Sequence, residues 1–198
     1  MNQSCLLSVE NLKTHFFTRT GVVKAVDGVS FSLNYGESLA IAGESGCGKS
    51  ITSLSIMRLV PKPAGRTVGG KILLEGEDLL AKSEEEMRHL RGKAIAMILQ
   101  DPLMSLNPVY TIGDQVAETF RLEGNGNNHQ AIREKVVNVL SQVRIPSAEH
   151  RLSDYPFQFS GGMRQRVVAA IAIARQPKLL IADKIVLINC HLIFRKYF

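Results

Sequence analysis

One octapeptide, GESGCGKS at residues 43–50, narrows the folds open to this chain more than any other segment. It satisfies G-x-x-x-x-G-K-[ST] at every fixed position. The run LAIA at 39–42 precedes it and reads as a buried strand, while KSITSLSIMRLV follows with a helical pattern that stops at Pro61. Strand, glycine loop and helix in that order make a phosphate cradle. Gly43, Gly46 and Gly48 let the backbone curl so that successive N–H groups face phosphate oxygens, and the helix adds its positive N-terminal end. Lys49 is placed to reach the β- and γ-phosphates, and the Ser50 hydroxyl to bind Mg2+. Glu44, Ser45 and Cys47 complete the loop and belong to the same candidate nucleotide site.

Bulk properties agree with a soluble globular protein rather than a disordered or fibrous one. The 198 residues include 45% hydrophobic and 21% charged side chains, ordinary values for a globular protein of one domain, or one domain and a small subdomain. The net charge of +6 favours an anionic partner. Cys5, Cys47 and Cys190 form no C-x-x-C pair, so neither a disulfide framework nor a zinc site is expected. The first residues, MNQSCLLSVENLK, show no basic region followed by an apolar one, and no leader or lipid anchor is expected. The apolar run VVAAIAIA at 167–174 is far below the ~20 residues of a membrane span.

Along the chain the first third reads as β-rich, in LLSVENLKTHFF, GVVKAVDGVSFSL and ESLAIAG. GGKILLEGEDLL resembles a strand and turn, EEEMRHLRG a charged helical turn, and AIAMILQ a buried strand. From Thr111 the period becomes helical, with Ile112, Val116 and Phe120 on one face and Ile132, Val136 and Leu140 on another. A helical insertion over about 104–160 is therefore expected between two parts of a sheet-containing core, since PKLLIAD returns to strand character.

Two further segments carry chemistry. The strand at 179–183 ends in Asp183, a carboxylate suited to the Mg2+ shell. FSGGMRQR, residues 159–166, sets Ser160, Gly161 and Gly162 directly before a helical stretch that Pro177 closes, giving a second glycine-rich helix start. Alone it is an ordinary capped helix; with a phosphate loop upstream and an Asp-terminated strand downstream, it reads as part of a nucleotide machine.

With those residues in view, the chain resembles the nucleotide-binding subunits of ABC transporters, and more narrowly those of dipeptide, oligopeptide and nickel importers. The narrower likeness rests on LKTHFFTRTGVVKAVDGVSFSL, GESGCGKS, MILQDPLMSLNPVYTIGDQ and RLSDYPFQFSGGMRQRVVAAIAIARQPKLLIAD, and runs over about residues 6–183. It implies a P-loop NTPase core (α/β) with an N-terminal antiparallel β subdomain and a helical insertion, truncated at the C-terminus. Its divisions would be 1–103 for the β subdomain and phosphate-loop core, 104–165 for the helical subdomain and 166–183 for the return to the core. It implies that Phe16, with Phe17 the alternative, stacks on adenine, and that 43–50 is the Walker A loop. Gln100 would touch Mg2+ and the attacking water and relay nucleotide state to the membrane subunits. Ser160, Gly161, Gly162 and Gln165 would form the signature motif that closes on ATP held by a partner subunit, and Asp183 would be the Walker B carboxylate.

After Asp183 the likeness stops. Where the family has a catalytic glutamate, this chain has Lys184, and the tail KIVLINCHLIFRKYF contains no acidic residue. An ammonium cannot accept the proton of an attacking water. The tail reads as a substitute strand, KIVLI, with an amphipathic end, or as a sequence with no selected role, and the second is favoured here; His191 follows too soon to be the family's switch histidine. The expectation is thus an ATPase subunit of a peptide-type ABC importer that binds ATP and Mg2+ and is impaired in hydrolysis. The alternatives are a binding module that does not hydrolyse, or a non-functional fragment. Expected partners are a second nucleotide-binding subunit, identical or not, and transmembrane permease subunits, with a solute-binding protein acting indirectly. The expected location is cytoplasmic, peripheral on the inner membrane face. An ABC-type ATPase of nucleic-acid metabolism is disfavoured, because no basic run is interleaved with aromatics.

Overall fold

A computed structural model describes residues 4–99, 105–122 and 128–183. The chain forms two compact units that meet in sequence between Arg91 and Gly92.

The first unit is built on an antiparallel sheet. Strands β1 (Cys5–Thr18) and β2 (Gly21–Asn34) pair along most of their length, β3 (Gly65–Leu74) lies on the other side of β1, and β4 (Glu77–Asp78) follows it. Leu7, Val9, Leu12, Val26 and Ile72 fill its buried face. The ladder is irregular where β1 meets β3 between Glu10 and Lys13. Gly70 makes that crossing possible: it has φ +91°, and a Cβ there would stand 2.5 Å from the Asn11 carbonyl oxygen, closer than any side chain tolerates.

Helix α1 (Lys49–Ile56) docks on this sheet through hydroxyls as much as through methyl groups. Thr14 Oγ1 and Ser55 Oγ share a hydrogen bond of 2.8 Å, and Ser55 Oγ also donates to the Ile51 carbonyl at 2.6 Å. Thr14, Thr52 and Ser55 are all buried. Each hydroxyl lost from such a site leaves a buried partner unsatisfied, which fixes the helix in one register. The helix ends before the Pro61 that the sequence suggested as its stop, because Arg58 takes φ +52°. Arg91 Nε donates to the Met57 carbonyl at 2.9 Å, satisfying one of the acceptors every helix end leaves open.

The run at 39–42 departs from expectation. It is not a strand: residues 37–44 carry no regular structure, and Leu39 and Ile41 are 49% and 48% exposed. A strand exists through its neighbours' hydrogen bonds, and among the described residues none lies beside this one.

Helix α2 (Glu84–Leu90) starts at a capping box in which the Glu86 N–H donates to Ser83 Oγ and the Ser83 N–H donates to the Glu86 carboxylate. Ser83→Ala is expected to cost about 1 kcal/mol in chemical denaturation, the usual worth of such a cap. The Ser83 hydroxyl, and then its backbone N–H, hold the Glu86 carboxyl below the ordinary carboxylate range. Its folded-state pKa is depressed, so its contribution is present above the unfolded value and fades as pH falls through the folded one.

In the second unit, β5 (Ile95–Ile98) and β6 (Leu179–Ala182) run parallel, in register from Ile95↔Leu179 to Ile98↔Ala182. Between them in sequence come α3 (Ile112–Arg121), α4 (His129–Gln142) and α5 (Gly161–Ile173). The faces read from the sequence are those that pack: Ile112, Val116, Phe120, Ile132, Val136 and Leu140 join one buried cluster with Val167 and Ala170. No helix among the described residues is long and apolar enough to cross a membrane.

Candidate functional site

The phosphate loop sits on β2. The register between β1 and β2 runs Thr14↔Val26 and then His15↔Lys24, so Ala25 is the extra residue of a bulge. Gly48 packs on that bulge. It caps α1 at φ 93° and ψ 2°, and a Cβ on it would lie 2.2 Å from the Ala25 carbonyl oxygen. No side chain caps the helix at this end, which leaves its first amides to an anion from outside. Lys49 turns back into the loop: its Nζ donates to the carbonyls of Gly43 at 2.7 Å and Glu44 at 2.6 Å, and stands 3.4 Å from Cys47 Sγ. The Cys47 N–H donates to the Glu44 carbonyl at 3.3 Å, closing the turn over Ser45 and Gly46. A phosphate fits this chemistry, with uncapped amides, one ammonium and two glycines at positive φ, Gly46 and Gly48. Ser50 follows as the second residue of α1.

Phe16 and Phe17 point to opposite faces of β1. Phe16 shares the face of Thr14, on which α1 docks, and is half-buried beside Gly65, where a Cβ would stand 2.8 Å from its Cε1. Phe17 is exposed on the other face, with the Arg66 guanidinium 5.6 Å from its ring centre.

In the second unit Asp183 follows the carboxyl end of β6, and its N–H donates to the Ile98 carbonyl at 3.0 Å. Ligands of open α/β sheets gather at such strand ends. Gln100, which follows β5, lies outside the described residues, as do Lys184 and His191. Ser160 caps α5, its Oγ accepting from the Met163 N–H at 3.3 Å. Gly161 and Gly162 are exposed, and a Cβ on either would meet nothing within 4 Å. Gln165 is half-buried on the next turn. Arg164 fixes the approach to this cap, donating from Nη1 to the carbonyls of Phe159 at 2.9 Å and Pro156 at 3.3 Å.

The Thr14–Ser55 pair and the Ala25 bulge were not singled out in the sequence. A signal for the first existed: Thr14 is the one hydroxyl among the inward positions Leu12, Thr14 and Phe16, and α1 carries Thr52 and Ser55 three residues apart. None existed for the bulge, which is a property of strand pairing.

Phosphate loop, Asp-terminated strand and glycine-rich second helix start together define a class, and the chain belongs to the ABC transporter family, whose domain matches residues 26–186. It is 50% identical over 179 residues to a probable peptide ABC transporter ATP-binding protein of Sinorhizobium fredii, covering 90% of this chain and 53% of that protein. The dipeptide transport ATP-binding protein DppD of Bacillus subtilis is also 50% identical over 179 residues, with the same coverage. The chain thus spans about half the length of the curated relatives it matches. Among solved structures, a dimeric ATP-binding cassette in a post-hydrolysis state bound to ADP and Pi superposes with a TM-score of 0.81 at 21% identity, over 97% of this chain and 79% of that one. This likeness bears out the fold class expected from the sequence, an ABC ATPase core with a β subdomain and a helical insertion.

Proposed function

We propose that this chain is the ATP-binding part of an ABC importer for peptides or a related solute, acting at the inner face of the cell membrane. The observation that carries the reading is the phosphate loop, an uncapped helix start with Lys49 folded into it, in a chain half identical to peptide-transport ATP-binding proteins. In this reading residues 43–50 hold the triphosphate and Phe16 stacks on adenine. The placement of Phe16 supports it over Phe17, since it shares the face on which α1 docks. Mg2+ would arrive with the nucleotide and be shared by Ser50, Asp183 and Gln100, as hard oxygen ligands suit that ion. It supplies charge neutralisation on the phosphates; the chain's own amides and Lys49 bind and orient them. The subdomain divisions given above belong to the same proposal.

Partners follow from two surfaces. Gly161 and Gly162 are not required by packing or by positive φ, so their smallness leaves space for something to come close; a second subunit's ATP, held also by Ser160 and Gln165, is that group. Elsewhere on the same unit Tyr110, Tyr155 and Phe157 are exposed, Phe157 at 71%, with the rings of Tyr155 and Phe157 stacked 5.6 Å apart. The Ile112 N–H donates to the Asp154 carbonyl at 2.8 Å, which holds the two segments side by side. Exposed aromatic patches mark interaction sites, and a permease loop is the occupant this reading assigns.

Hydrolysis is proposed to be impaired, because Lys184 stands where a proton acceptor is needed. Lys184→Glu alone is expected to leave phosphate release at background, since the neighbouring residues IVLINCHLIFRKYF contain no further acidic side chain to help position the water. Steady-state phosphate release from the purified variant checks this; turnover near 1 per second, in the usual range, would refute it. Binding itself is tested by calorimetry with magnesium ATP, and absence of affinity in folded protein would overturn the reading.

A further inference from the structure

Strand β3 uses one edge fully and the other hardly at all. On one side it pairs with β1 from Phe16↔Gly65 to Leu7↔Leu74. On the other, β4 covers Leu73 and Leu74, and among the described residues no strand lies along 65–71. Such an edge offers rows of backbone donors and acceptors, and natural sheets rarely leave one open without reason.

This edge opens on a cleft of about 660 Å3. Arg58, Lys62 and Arg66 line it, together with Val60 and the half-exposed Val68. Its one carboxylate, Glu84, is engaged by Arg91 Nη1 at 2.5 Å, and Arg58 Nη1 donates to the carbonyls of Leu79 and Lys82, which leaves Lys62 and Arg66 as the cations facing the cleft. The cleft is therefore cationic with apolar walls. Those features restrict the occupant. A second copy added through the same edge would set Lys62 and Arg66 against their duplicates, a repulsive arrangement. A bare polyanion would satisfy the cations and leave both the strand edge and the valines uncovered.

We propose that the open edge of β3 receives an extended acidic segment of a partner protein as an added strand. Main-chain hydrogen bonds to residues 66–69 supply affinity, since the Gly65 N–H already donates to the Pro61 carbonyl, while alternate acidic side chains reach Lys62 and Arg66. The surface goes beyond the transporter reading and does not depend on nucleotide.

The test uses the full chain and a labelled seven-residue peptide of alternating Glu and Val, followed by fluorescence anisotropy. Saturable binding is expected, weakened on the order of tenfold by Lys62→Glu and again by raising salt from 0.05 to 0.5 M, as exposed charge pairs are. A version of the peptide N-methylated at alternate residues, which leaves the protein untouched, is expected to bind at least about tenfold more weakly, since it lacks the strand donors. No binding, or equal binding of the Lys/Val counterpart, overturns the proposal. Undiminished binding of the N-methylated peptide, or full competition by inorganic polyphosphate, overturns it in favour of a simple anion site. A dimer in sedimentation that the peptide dissolves would assign the edge to a second copy and equally overturn it.

Discussion

Lys49→Ala is expected to abolish the thermal stabilisation that magnesium ATP gives this protein. A ligand at a hundred times its Kd adds about 2.7 kcal/mol to the folded state. For a chain of this size that raises Tm by roughly 5–10 °C, at 2–4 °C per kcal/mol. The loop has no other ammonium in it: Lys49 Nζ is the cation that meets the Gly43 and Glu44 carbonyls. When nucleotide binds, those carbonyl contacts are exchanged for phosphate oxygens, which form the shorter and stronger charge-assisted bonds. Alanine removes the cation while leaving Gly46, Gly48 and the helix start in place, so the unliganded variant should melt close to the parent. The informative comparison is the shift with and without ATP in each protein. An unchanged shift in the variant would remove the phosphate loop from the nucleotide site and, with it, the assignment of residues 43–50.

How much of this could be read from the residues alone varied with the range of the interactions involved. The four-residue spacings at 112, 116 and 120 and at 132, 136 and 140 gave α3 and α4, because a helix is specified by contacts within a few positions. The two long strands were legible for the same reason, from alternation and turn residues. The glycine loop at 43–50 stands out in the sequence because a phosphate cradle requires glycines at fixed spacing, and its role in binding nucleotide is the reading proposed above. The segment 39–42 has the composition of a strand and is not one: strand structure is decided by what lies beside it, and Leu39 and Ile41 stand exposed instead. The end of α1 is not written in its periodicity: Arg58, just beyond it, takes φ +52°, and Arg91, distant in sequence, supplies the donor to the Met57 carbonyl. The same holds for the Ala25 bulge, which the pairing of β1 with β2 creates and neither strand's sequence announces.

That bulge makes the second large prediction. Gly48→Ala is expected to destabilise the first unit by about 3 kcal/mol or more and to remove nucleotide binding. Two costs combine at this position. A non-glycine residue at φ 93° leaves the ordinary backbone regions, which costs about 1–2 kcal/mol. The added methyl would also stand 2.2 Å from the Ala25 carbonyl oxygen, and a backbone atom cannot rotate away as a side-chain end can. Either β2 or the start of α1 must shift, and both carry the loop. Gly46→Ala separates the two costs: Gly46 sits at φ +85°, but a Cβ there meets nothing within 4 Å. It should cost only the backbone term, about 1–2 kcal/mol, and keep the loop's seat on the sheet. Chemical denaturation of both variants, with ATP-dependent melting measured beside it, reads the difference. Equal losses in the two would mean that Gly48 serves the loop through its torsion alone, and that the contact with the β2 bulge does not position the phosphate site.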